Sequence, residues 1–361
     1  MIDTPYLEVD VDRLDRNLAS LAGAARSFGV DVRPHAKTHK CAEIARLQIE
    51  HGAVGLTVAT IGEAEAFADA ADDTGCTDIF IAYPLWPTAG QAARLRALAE
   101  RVTLRLGIDS LAGARHLASA LGSTPVQVLV EVDSGQHRTG VTPELAGSVG
   151  AAGVAEGLDV TGVFTFPGHS YGLGDTRRNA AAQELAALAT ASDGLRANGI
   201  EPLVRSGGST PTVGLLDAEQ ANVLTEVRPG VYPFNDAQQV EIGSCGFGEV
   251  SLTAVATVVR RDNHRIVLDA GSKILGADRA PWATGYGRLL DHHDARIVML
   301  SEHHAVVEFP ATASDERIPG IGSYVRVVPN HVCNAVNLVD ELVAIDGSDT
   351  RWPVIARGRN S

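Results

Sequence analysis

The chain has 361 residues, 45% of them hydrophobic and 20% charged, so it can bury a sizeable core and is not of the disordered class. Its formal net charge of -14 disfavours nucleic acids and anionic membranes as partners, because both repel an acidic surface. We expect a cytoplasmic protein, since the first residues lack a secretory signal, no apolar run approaches the roughly 20 residues of a membrane span, and four scattered cysteines fit a reducing compartment.

The first two thirds of the chain alternate between short β-branched runs and alanine-rich helical segments. Helical composition is clearest at Ala89–Arg101 and Arg178–Asn198, which are rich in Ala, Leu, Glu and Arg. Eight strands are predicted, at Val30–His35, Gly55–Ala59, Asp78–Ala82, Val102–Gly107, Val126–Val132, Val160–Phe166, Pro202–Arg205 and Val223–Val227. Eight such units within about 200 residues predict a closed (β/α)8 TIM barrel of the α/β class.

The pattern changes after about Asn235, where strands follow one another with almost no helix between them. The predicted strands are Val250–Val259, Arg265–Leu268, Ala295–Leu300, Ala305–Phe309, Tyr324–Val328 and Leu342–Ile345. Turn residues such as Asp262-Asn263 and Asp346-Gly347 separate them. We therefore predict a barrel over residues 10–235 and an all-β domain over residues 236–361, to which residues 1–9 add a strand at Tyr6–Val9.

Function in such a barrel is expected where the strands end at the carboxyl face. Lys37 follows the first strand, and a lysine there can form a Schiff base with an aldehyde cofactor once its amine loses a proton. His35, His39 and Lys40 are cationic or polar neighbours that can lower the lysine pKa. The alternative is a solvated basic loop at the start of an alanine-rich helix.

The loops after the seventh and eighth strands suit an anion. Gly208, Ser209 and Thr210 follow the seventh strand, where glycine lets the backbone approach an anion and the amides and hydroxyls can bind it. Gly230 and Tyr232 follow the eighth strand. Because barrels often build phosphate sites from these two loops, we predict a phosphate site here rather than simple turns.

Two further loops offer candidate side chains. Arg138 follows the fifth strand and could face the ring or the phenolic oxygen of a cofactor; the alternative is a surface arginine. His169 follows the sixth strand and is a candidate general acid or base, because histidine titrates near neutral pH; the alternative is a structural histidine. Tyr171, two residues later, is a further cofactor-binding candidate.

The stretch Pro329–Asn334 of the β domain suggests a metal site. If it is extended, His331 and Cys333 project on the same face and present an imidazole and a thiolate side by side, which suits zinc. Two protein ligands would leave positions open for water and substrate. The alternative is a buried cysteine beside a turn histidine.

Taken together, these segments resemble one known family. RPHAKTHK at Arg33–Lys40, the SGGST loop, EVRPGVYPFND at Glu226–Asp236, PNHVCNAVNL at Pro329–Leu338 and the closing WPVIARGRN are similar to the metal-activated D-threonine aldolase and D-serine dehydratase family. That family is a branch of the alanine-racemase-like, fold-type III pyridoxal-phosphate enzymes, and the similarity covers essentially the whole chain.

The resemblance implies a role for each matching residue. Lys37 is the implied Schiff-base lysine for pyridoxal 5'-phosphate. His331 and Cys333 are the implied ligands of a divalent metal, zinc first and manganese or magnesium as alternatives. Gly208, Ser209, Thr210 and the Gly230–Tyr232 turn are the implied phosphate site. A homodimer is also implied, acting on small D-amino acids.

The resemblance leaves the reaction open between two lyases. The first is cleavage of D-β-hydroxy-α-amino acids to glycine and an aldehyde, as by D-threonine aldolase, and we adopt it as the prediction. The second is dehydration of D-serine or D-3-hydroxyaspartate to a 2-oxo acid and ammonia. The GHSY context of His169 is closer to the dehydratase branch, and some aldolases carry an aspartate at the position of Cys333. An amino-acid racemase and a non-catalytic pyridoxal-phosphate-binding protein are lesser alternatives.

Overall fold

The computed structural model describes residues 2–347 and 350–361 of the chain. The chain forms two compact units. The β unit consists of Met1–Leu18, Thr38–Cys41 and Val231–Gly358, and the barrel unit of Ala19–Lys37, Ala42–Gly230 and Arg359–Ser361. The domain boundaries inferred from the sequence stay a prediction, and residues 1, 348 and 349 of that predicted β domain lie outside the described residues.

Strands and helices alternate through the barrel unit and strands dominate the β unit. The strands are β1 (Tyr6–Asp10), β2 (Asp31–Val32), β3 (Leu56–Val58), β4 (Asp78–Pro84), β5 (Thr103–Ile108), β6 (Gln127–Glu131), β7 (Asp159–Phe164), β8 (Val204–Gly207), β9 (Glu226–Val227), β10 (Leu252–Asp262), β11 (Arg265–Leu268), β12 (Gly287–Leu289), β13 (Arg296–Leu300), β14 (Ala305–Glu308), β15 (Tyr324–Pro329), β16 (Glu341–Ile345) and β17 (Thr350–Pro353). The helices are α1 (Val11–Phe28), α2 (Ala42–Glu50), α3 (Ile61–Asp69), α4 (Ala71–Thr74), α5 (Ala89–Ala99), α6 (Leu111–Leu121), α7 (Ala146–Ala155), α8 (Thr176–Ala197), α9 (Thr210–Val213), α10 (Ala218–Val223), α11 (Ala237–Glu241), α12 (Ser272–Leu275) and α13 (Val332–Val336). Short 3-10 turns lie at Pro143–Leu145, Gly168–Ser170, Phe247–Glu249 and Asp315–Arg317. Within the described ranges, no helix is long and apolar enough to cross a membrane.

The barrel unit contains the eight parallel strands β2 to β9, paired in the order β2-β9-β8-β7-β6-β5-β4-β3. The two ends of this path meet, because His35 bridges to Thr57 in parallel and the Ala36 amide donates to the Thr57 carbonyl at 2.8 Å. This closes the sheet as a barrel. The predicted fold class and all eight predicted barrel strands are confirmed, with boundaries shifted by a few residues.

The barrel interior is packed with apolar side chains at the level of the strands. Phe80, Leu129 and Phe164 are fully buried in one cluster, and the rings of Phe80 and Phe164 meet edge to face with centroids 5.0 Å apart. Such pairs add roughly 0.5–1.5 kcal/mol beyond the area that they bury. At this level the barrel interior is therefore a packed core.

A buried ion-pair network lies near the amino ends of the strands. Arg33 is 1% exposed and donates to Asp78 at 2.8 Å and to Glu226 at 3.0 Å. Arg105 contacts the same two carboxylates at 3.1 and 3.4 Å. Glu226 also accepts from the Ser206 hydroxyl at 2.6 Å, which connects this buried network to the interior of the barrel.

In the β unit the predicted all-β character is confirmed. The strands run β13-β14-β11-β10-β1-β16-β17, with β15 paired to β10 and β12. β1 pairs antiparallel with β10 and parallel with β16, so the first strand of the chain joins this sheet as predicted. β12 and β17 were not predicted, because these strands have only three and four residues and too little alternation to mark a strand.

Candidate functional site

A cavity of about 300 Å³ opens at the carboxyl face of the barrel unit. Its lining residues all lie at or just after strand ends, as the fold predicts for a functional site. They are His35, Lys37, Ala59, Ala82, Tyr83, Arg138, Thr139, Phe166 and Arg228. Three predicted site residues, His35, Lys37 and Arg138, are therefore brought together in one cavity.

Phe166 is the aromatic platform of this cavity, and the sequence analysis did not single it out. The Lys37 Nζ lies 5.5 Å from the centroid of the Phe166 ring, and the Arg138 Cζ lies 5.6 Å from the same centroid. Both distances are within the range of cation–π attraction. The signal available in the sequence was the position of Phe166, directly after β7 and ahead of the Pro-Gly-His loop.

Arg228 supplies a second cation to the cavity and was also missed. Its guanidinium donates to the Ser206 hydroxyl at 2.8 Å and to the Thr165 carbonyl at 2.5 Å. The same group lies 5.5 Å from the Phe80 centroid and 5.3 Å from that of Phe164. Burial lowers the pKa of Arg228 to about 10, so the side chain stays cationic at neutral pH. A buried cation of this kind favours an anionic ligand.

The predicted phosphate loop leaves β8 and enters α9. Gly208 has φ +80, and a Cβ at this position would lie 3.0 Å from Val213 Cγ1, so glycine is required. The Gly208 amide donates to Glu184 Oε1 at 2.5 Å, and the Ser209 amide donates to the Thr212 hydroxyl at 2.9 Å. Both amides predicted to bind phosphate are thus engaged within the protein in this structure.

The other predicted phosphate residues have different surroundings. Thr210 is 5% exposed and begins α9. Gly230 is the last residue of that stretch of the barrel unit, whereas Tyr232 is 9% exposed and belongs to the β unit. The division between the two units thus falls between Gly230 and Tyr232. Their shared role in binding phosphate stays a prediction.

His169 is held beside α8 and does not line the cavity. Its Nε2 lies 2.8 Å from Gln183 Oε1, and a Cβ on Gly135 would lie 3.1 Å from the same nitrogen. The His169 Nδ1 is buried and has no hydrogen-bond partner in the part of the chain that the structure describes. Tyr171 contacts Phe166, with ring centroids 6.4 Å apart. The catalytic role of His169 stays a prediction.

Two buried carboxyl groups near the cavity were not anticipated. Glu131 ends β6, is 3% exposed and accepts from the Thr139 hydroxyl at 3.0 Å. Glu184 in α8 is 2% exposed. Burial raises the pKa of each to about 7. The raised pKa of Glu131 and Glu184 could not be predicted from the sequence, because it results from burial. Burial depends on which other elements pack over the side chain.

Pro329–Asn334 is not extended throughout, as the predicted metal site had assumed. β15 ends at Pro329, His331 occupies the N-cap, and α13 begins at Val332. The Val332 amide donates to the buried Asp236 carboxylate at 3.1 Å, which stabilises a helical start at this point. His331 and Cys333 are nevertheless neighbours, since their side chains are within hydrogen-bonding contact across the first turn.

Asp278 joins His331 and Cys333 and was not anticipated. The His331 Nδ1 lies 2.5 Å from Asp278 Oδ2, and the Cys333 thiol donates to the Thr38 hydroxyl at 3.2 Å. Burial lowers the pKa of His331, but the electrostatic interaction with Cys333 and the hydrogen bond to Asp278 outweigh it and raise that pKa to about 11. No group of three or more His, Cys, Asp or Glu side chains is arranged as a metal cluster within residues 2–347 and 350–361.

The residues present fit both groups that the sequence analysis anticipated. For pyridoxal phosphate, the cavity combines a primary amine, two guanidinium groups and an aromatic ring, which suit an aldehyde, an anion and a planar heterocycle. For a divalent metal, the β unit offers two candidate ligands that suit zinc, the His331 imidazole and the Cys333 thiol, and Asp278 contacts the imidazole at Nδ1.

Comparison with known proteins places this architecture in a family context. The alanine racemase N-terminal domain matches residues 9–237, and the putative serine dehydratase domain matches residues 251–345. The chain is 34% identical to D-threo-3-hydroxyaspartate dehydratase of Delftia sp. (strain HT23), over 97% of both chains. It is 31% identical to D-threonine aldolase of Arthrobacter sp., over 99% of this chain and 93% of the other.

A solved structure agrees with these sequence relatives. The metal-free form of a cysteine-to-alanine mutant of D-threo-3-hydroxyaspartate dehydratase superposes with a TM-score of 0.88 and 31% identity. The match covers 98% of this chain and 97% of that chain. The resemblance predicted from the motifs is therefore confirmed over essentially the full length.

Proposed function

The chain belongs to the alanine-racemase-like family of pyridoxal-phosphate enzymes, in the branch whose named members are lyases, and from this we propose that it cleaves D-β-hydroxy-α-amino acids. The proposed reaction is of the D-threonine aldolase type. The β-hydroxyl loses its proton, the Cα–Cβ bond breaks to release an aldehyde, and Cα gains a proton to give glycine.

One observation supports this proposal above the others, namely the cavity that holds Lys37 among cationic and aromatic side chains. Lys37 would hold pyridoxal phosphate covalently through its amine, with Phe166 beside it at 5.5 Å. The cofactor, when bound, supplies a ring that accepts the negative charge developing at Cα. Arg228 and Arg138 would neutralise anionic groups of cofactor and substrate, because both guanidinium groups line the same cavity.

The metal is a further part of the proposal. His331 and Cys333 would hold a divalent ion, with zinc the first choice for an imidazole–thiolate pair. Such an ion supplies a Lewis acid that lowers the pKa of a nearby hydroxyl group. The metal-free form described for the similar dehydratase supports a metal in this branch of the family, without identifying it.

Dehydration is the second candidate, and two observations favour it. The dehydratase of Delftia is slightly more similar in sequence than the aldolase of Arthrobacter, at 34% against 31% identity. In addition, Lys37 lies in the cavity as a potential base for the Cα proton, whereas His169, the residue predicted to take the β-hydroxyl proton, does not line it. Loss of the Cα proton and of the β-hydroxyl would give a 2-oxo acid and ammonia after hydrolysis.

Product analysis distinguishes the two reactions. The purified protein, supplied with pyridoxal phosphate, is incubated with D-threonine with and without a chelator, and its products are identified. Glycine and acetaldehyde in equal amounts, lost on chelation and restored by zinc, are expected for the aldolase. Ammonia and 2-oxobutyrate would replace that proposal with the dehydratase.

The remaining outcomes correspond to the lesser alternatives. L-allo-threonine, the product of inversion at Cα alone, formed without either product set and unaffected by chelator, would indicate a racemase. If D-threonine, D-serine and D-3-hydroxyaspartate all remain unchanged although the cofactor is bound, the chain is a non-catalytic cofactor-binding protein and the proposal is wrong.

We also propose a homodimer, which the family resemblance implies. Light scattering after size-exclusion chromatography is expected to give twice the 37.8 kDa mass of the chain. A mass of one chain at micromolar concentration would contradict it.

A further inference from the structure

Glu184 lies beneath the loop that is proposed to hold the cofactor phosphate. It is carried by α8, is 2% exposed, and accepts the Gly208 amide at 2.5 Å. Thr212, two residues into α9, also hydrogen-bonds to this carboxyl group. One side chain thus connects α8 to both ends of the Gly208–Thr212 segment.

The loop is shaped around this carboxyl group. A Cβ on Gly207 would lie 2.4 Å from Glu184 Oε1, which is far inside van der Waals contact. Gly208 has φ +80, a conformation that other residues rarely adopt. A side chain at position 207 would therefore displace the Glu184 carboxyl group, and the Gly208 amide hydrogen-bonds to that group.

The loop is also connected to the cation in the cavity. Ser206, at the start of the loop, accepts from Arg228 at 2.8 Å, and Ser209 shares a hydrogen bond with Ser170 at 2.9 Å. A displacement of the loop that reaches Ser206 would thus move the hydroxyl group that contacts Arg228. The position of the Gly207–Ser209 loop and the position of the Arg228 guanidinium group therefore depend on each other.

Among the described residues, Arg228 is the charged group that faces Glu184 most directly. Burial raises the pKa of Glu184 to about 7, although the Gly208 amide, Arg228 and Thr212 act in the opposite direction. Near neutral pH the carboxyl group therefore exists in both protonation states. The ionised form of Glu184 places a negative charge next to the Gly207–Ser209 loop, which in the proposed function binds the negatively charged cofactor phosphate.

We propose that Glu184 is a positioning residue that holds the Gly207–Ser209 loop in the form that binds the cofactor phosphate, and that its ionisation weakens that binding. The inference rests on the proposed function, in which this loop receives the phosphate. It makes Glu184 a determinant of cofactor affinity without contact with the reacting atoms.

The experiment compares binding of pyridoxal phosphate with binding of pyridoxal, which lacks the phosphate group. Apoprotein is titrated with each compound between pH 6 and 9 for the wild type, Glu184→Gln and Glu184→Ala. Glutamine keeps an acceptor for the Gly208 amide but carries no charge, whereas alanine removes the acceptor. Ser192→Ala is the matched control, because Ser192 is also buried on α8 and its hydroxyl donates to the Leu188 carbonyl of the same helix.

We expect Glu184→Ala to bind pyridoxal phosphate about tenfold more weakly than the wild type, the equivalent of about one net hydrogen bond, while pyridoxal affinity is unchanged. Glu184→Gln should bind pyridoxal phosphate at least as tightly as the wild type at pH 8–9 and should lose part of the decline in affinity through pH 7. Ser192→Ala should match the wild type throughout.

Several results would overturn the inference. Equal or tighter binding of pyridoxal phosphate by Glu184→Ala would show that Glu184 does not support the loop or competes with phosphate. Equal losses of affinity for pyridoxal and pyridoxal phosphate would indicate a general structural effect.

If Glu184→Ala fails to fold, the pH profile of pyridoxal-phosphate binding by Glu184→Gln still tests the inference. A profile identical to that of the wild type would contradict the role of ionisation. Failure of the wild type to bind either compound would overturn the proposed function as well, whereas normal wild-type binding with unaffected variants would overturn this inference alone.

Discussion

At the scale of single residues, the cavity of the barrel unit brings together side chains of complementary chemistry. Lys37, Arg138 and Arg228 put three cationic groups around the ring of Phe166 and the hydroxyl of Thr139. The carboxyl groups of Glu131, Glu184 and Glu226 lie close enough to Arg228 to offset part of its positive charge. A cofactor that carries a phosphate group, with a substrate that carries a carboxylate, would offset more of the positive charge in the cavity.

Replacing Lys37 with alanine should remove covalent attachment of the cofactor. The visible absorbance of protein-bound pyridoxal phosphate is expected to disappear, and turnover should fall by several orders of magnitude, because no other primary amine among the described residues lines the cavity. The measurement is an absorbance spectrum of dialysed protein. Lys273→Ala, at an exposed ion pair with Glu302, serves as control. A retained cofactor band in Lys37→Ala would refute the assignment.

Asp278 is expected to determine how tightly the β unit binds metal. Its carboxylate contacts the His331 Nδ1, and a carboxylate on one ring nitrogen fixes the tautomer that offers the other nitrogen to a metal. Asp278→Asn should lower the affinity for zinc about 10- to 100-fold, measured by competition with a chromogenic chelator. Asp291→Asn, at an exposed pair with Arg326, should leave it unchanged. Equal zinc affinity in both variants would show that Asp278 has no such role.

At the scale of elements, the carboxyl ends of the barrel strands supply the cavity residues. In each unit, a short helix directly follows one of the strands. β8 passes through two glycines into the four-residue helix α9, and β15 passes through His331 into the five-residue helix α13. In both places the chain turns sharply directly after a strand. The first turn brings the Ser209 hydroxyl within 3.2 Å of the Thr212 hydroxyl, and the second places the His331 imidazole beside the Cys333 thiol.

Gly208→Ala tests the tightness of the first of these turns. A left-handed φ costs a non-glycine residue about 1–2 kcal/mol, and forced packing against Val213 and Val227 adds about 1–3 kcal/mol. Gly174→Ala is the control, because Gly174 has φ +66 but open space around its Cα, so only the first cost applies. Urea unfolding of the two variants should therefore differ by about 1 kcal/mol or more. Equal destabilisation would show that the loop can accommodate a methyl group.

For the whole molecule, the buried carboxyl groups predict how stability depends on pH. Glu131 and Glu184 have folded-state pKa values of about 7 against an ordinary value of 4.5, so the folded chain binds protons more tightly than the unfolded chain between these values. Their contribution to stability is complete below about pH 4.5 and is lost as the pH rises through 7.

The expected result is a fall in the free energy of unfolding of the apoprotein between pH 5.5 and pH 8, in part because of Glu131. Glu131→Gln should lose that part of the slope, because glutamine does not titrate. Glu201→Gln, at an exposed position, should keep the wild-type slope. Urea unfolding at several pH values measures the difference. A slope in Glu131→Gln equal to that of the wild type would show that Glu131 is not protonated in the folded chain near neutral pH.

Much of the fold could be predicted because barrel strands are buried on both faces and read as continuous apolar runs. Ile79, Phe80 and Ile81 are all fully buried, and their composition alone marks a strand. By contrast, Gly287–Leu289 of β12 is a strand only because β15 supplies a hydrogen-bonding partner. The helical turn at Val332 likewise depends on the Asp236 carboxylate, which lies far away in the sequence.

By itself, the sequence determined the order of strands and helices, the position of Lys37 at a strand end, the pairing of His331 with Cys333, and the family. These properties are local, because hydrophobic periodicity and motif spacing depend on neighbouring residues. Only the tertiary structure decided that Phe166 and Arg228 share the cavity with Lys37, that Asp278 contacts His331, and that Glu184 binds the Gly208 amide. Those contacts join residues far apart in the chain, and the burial that shifts the pKa of Glu184 exists only after the helices pack onto the barrel.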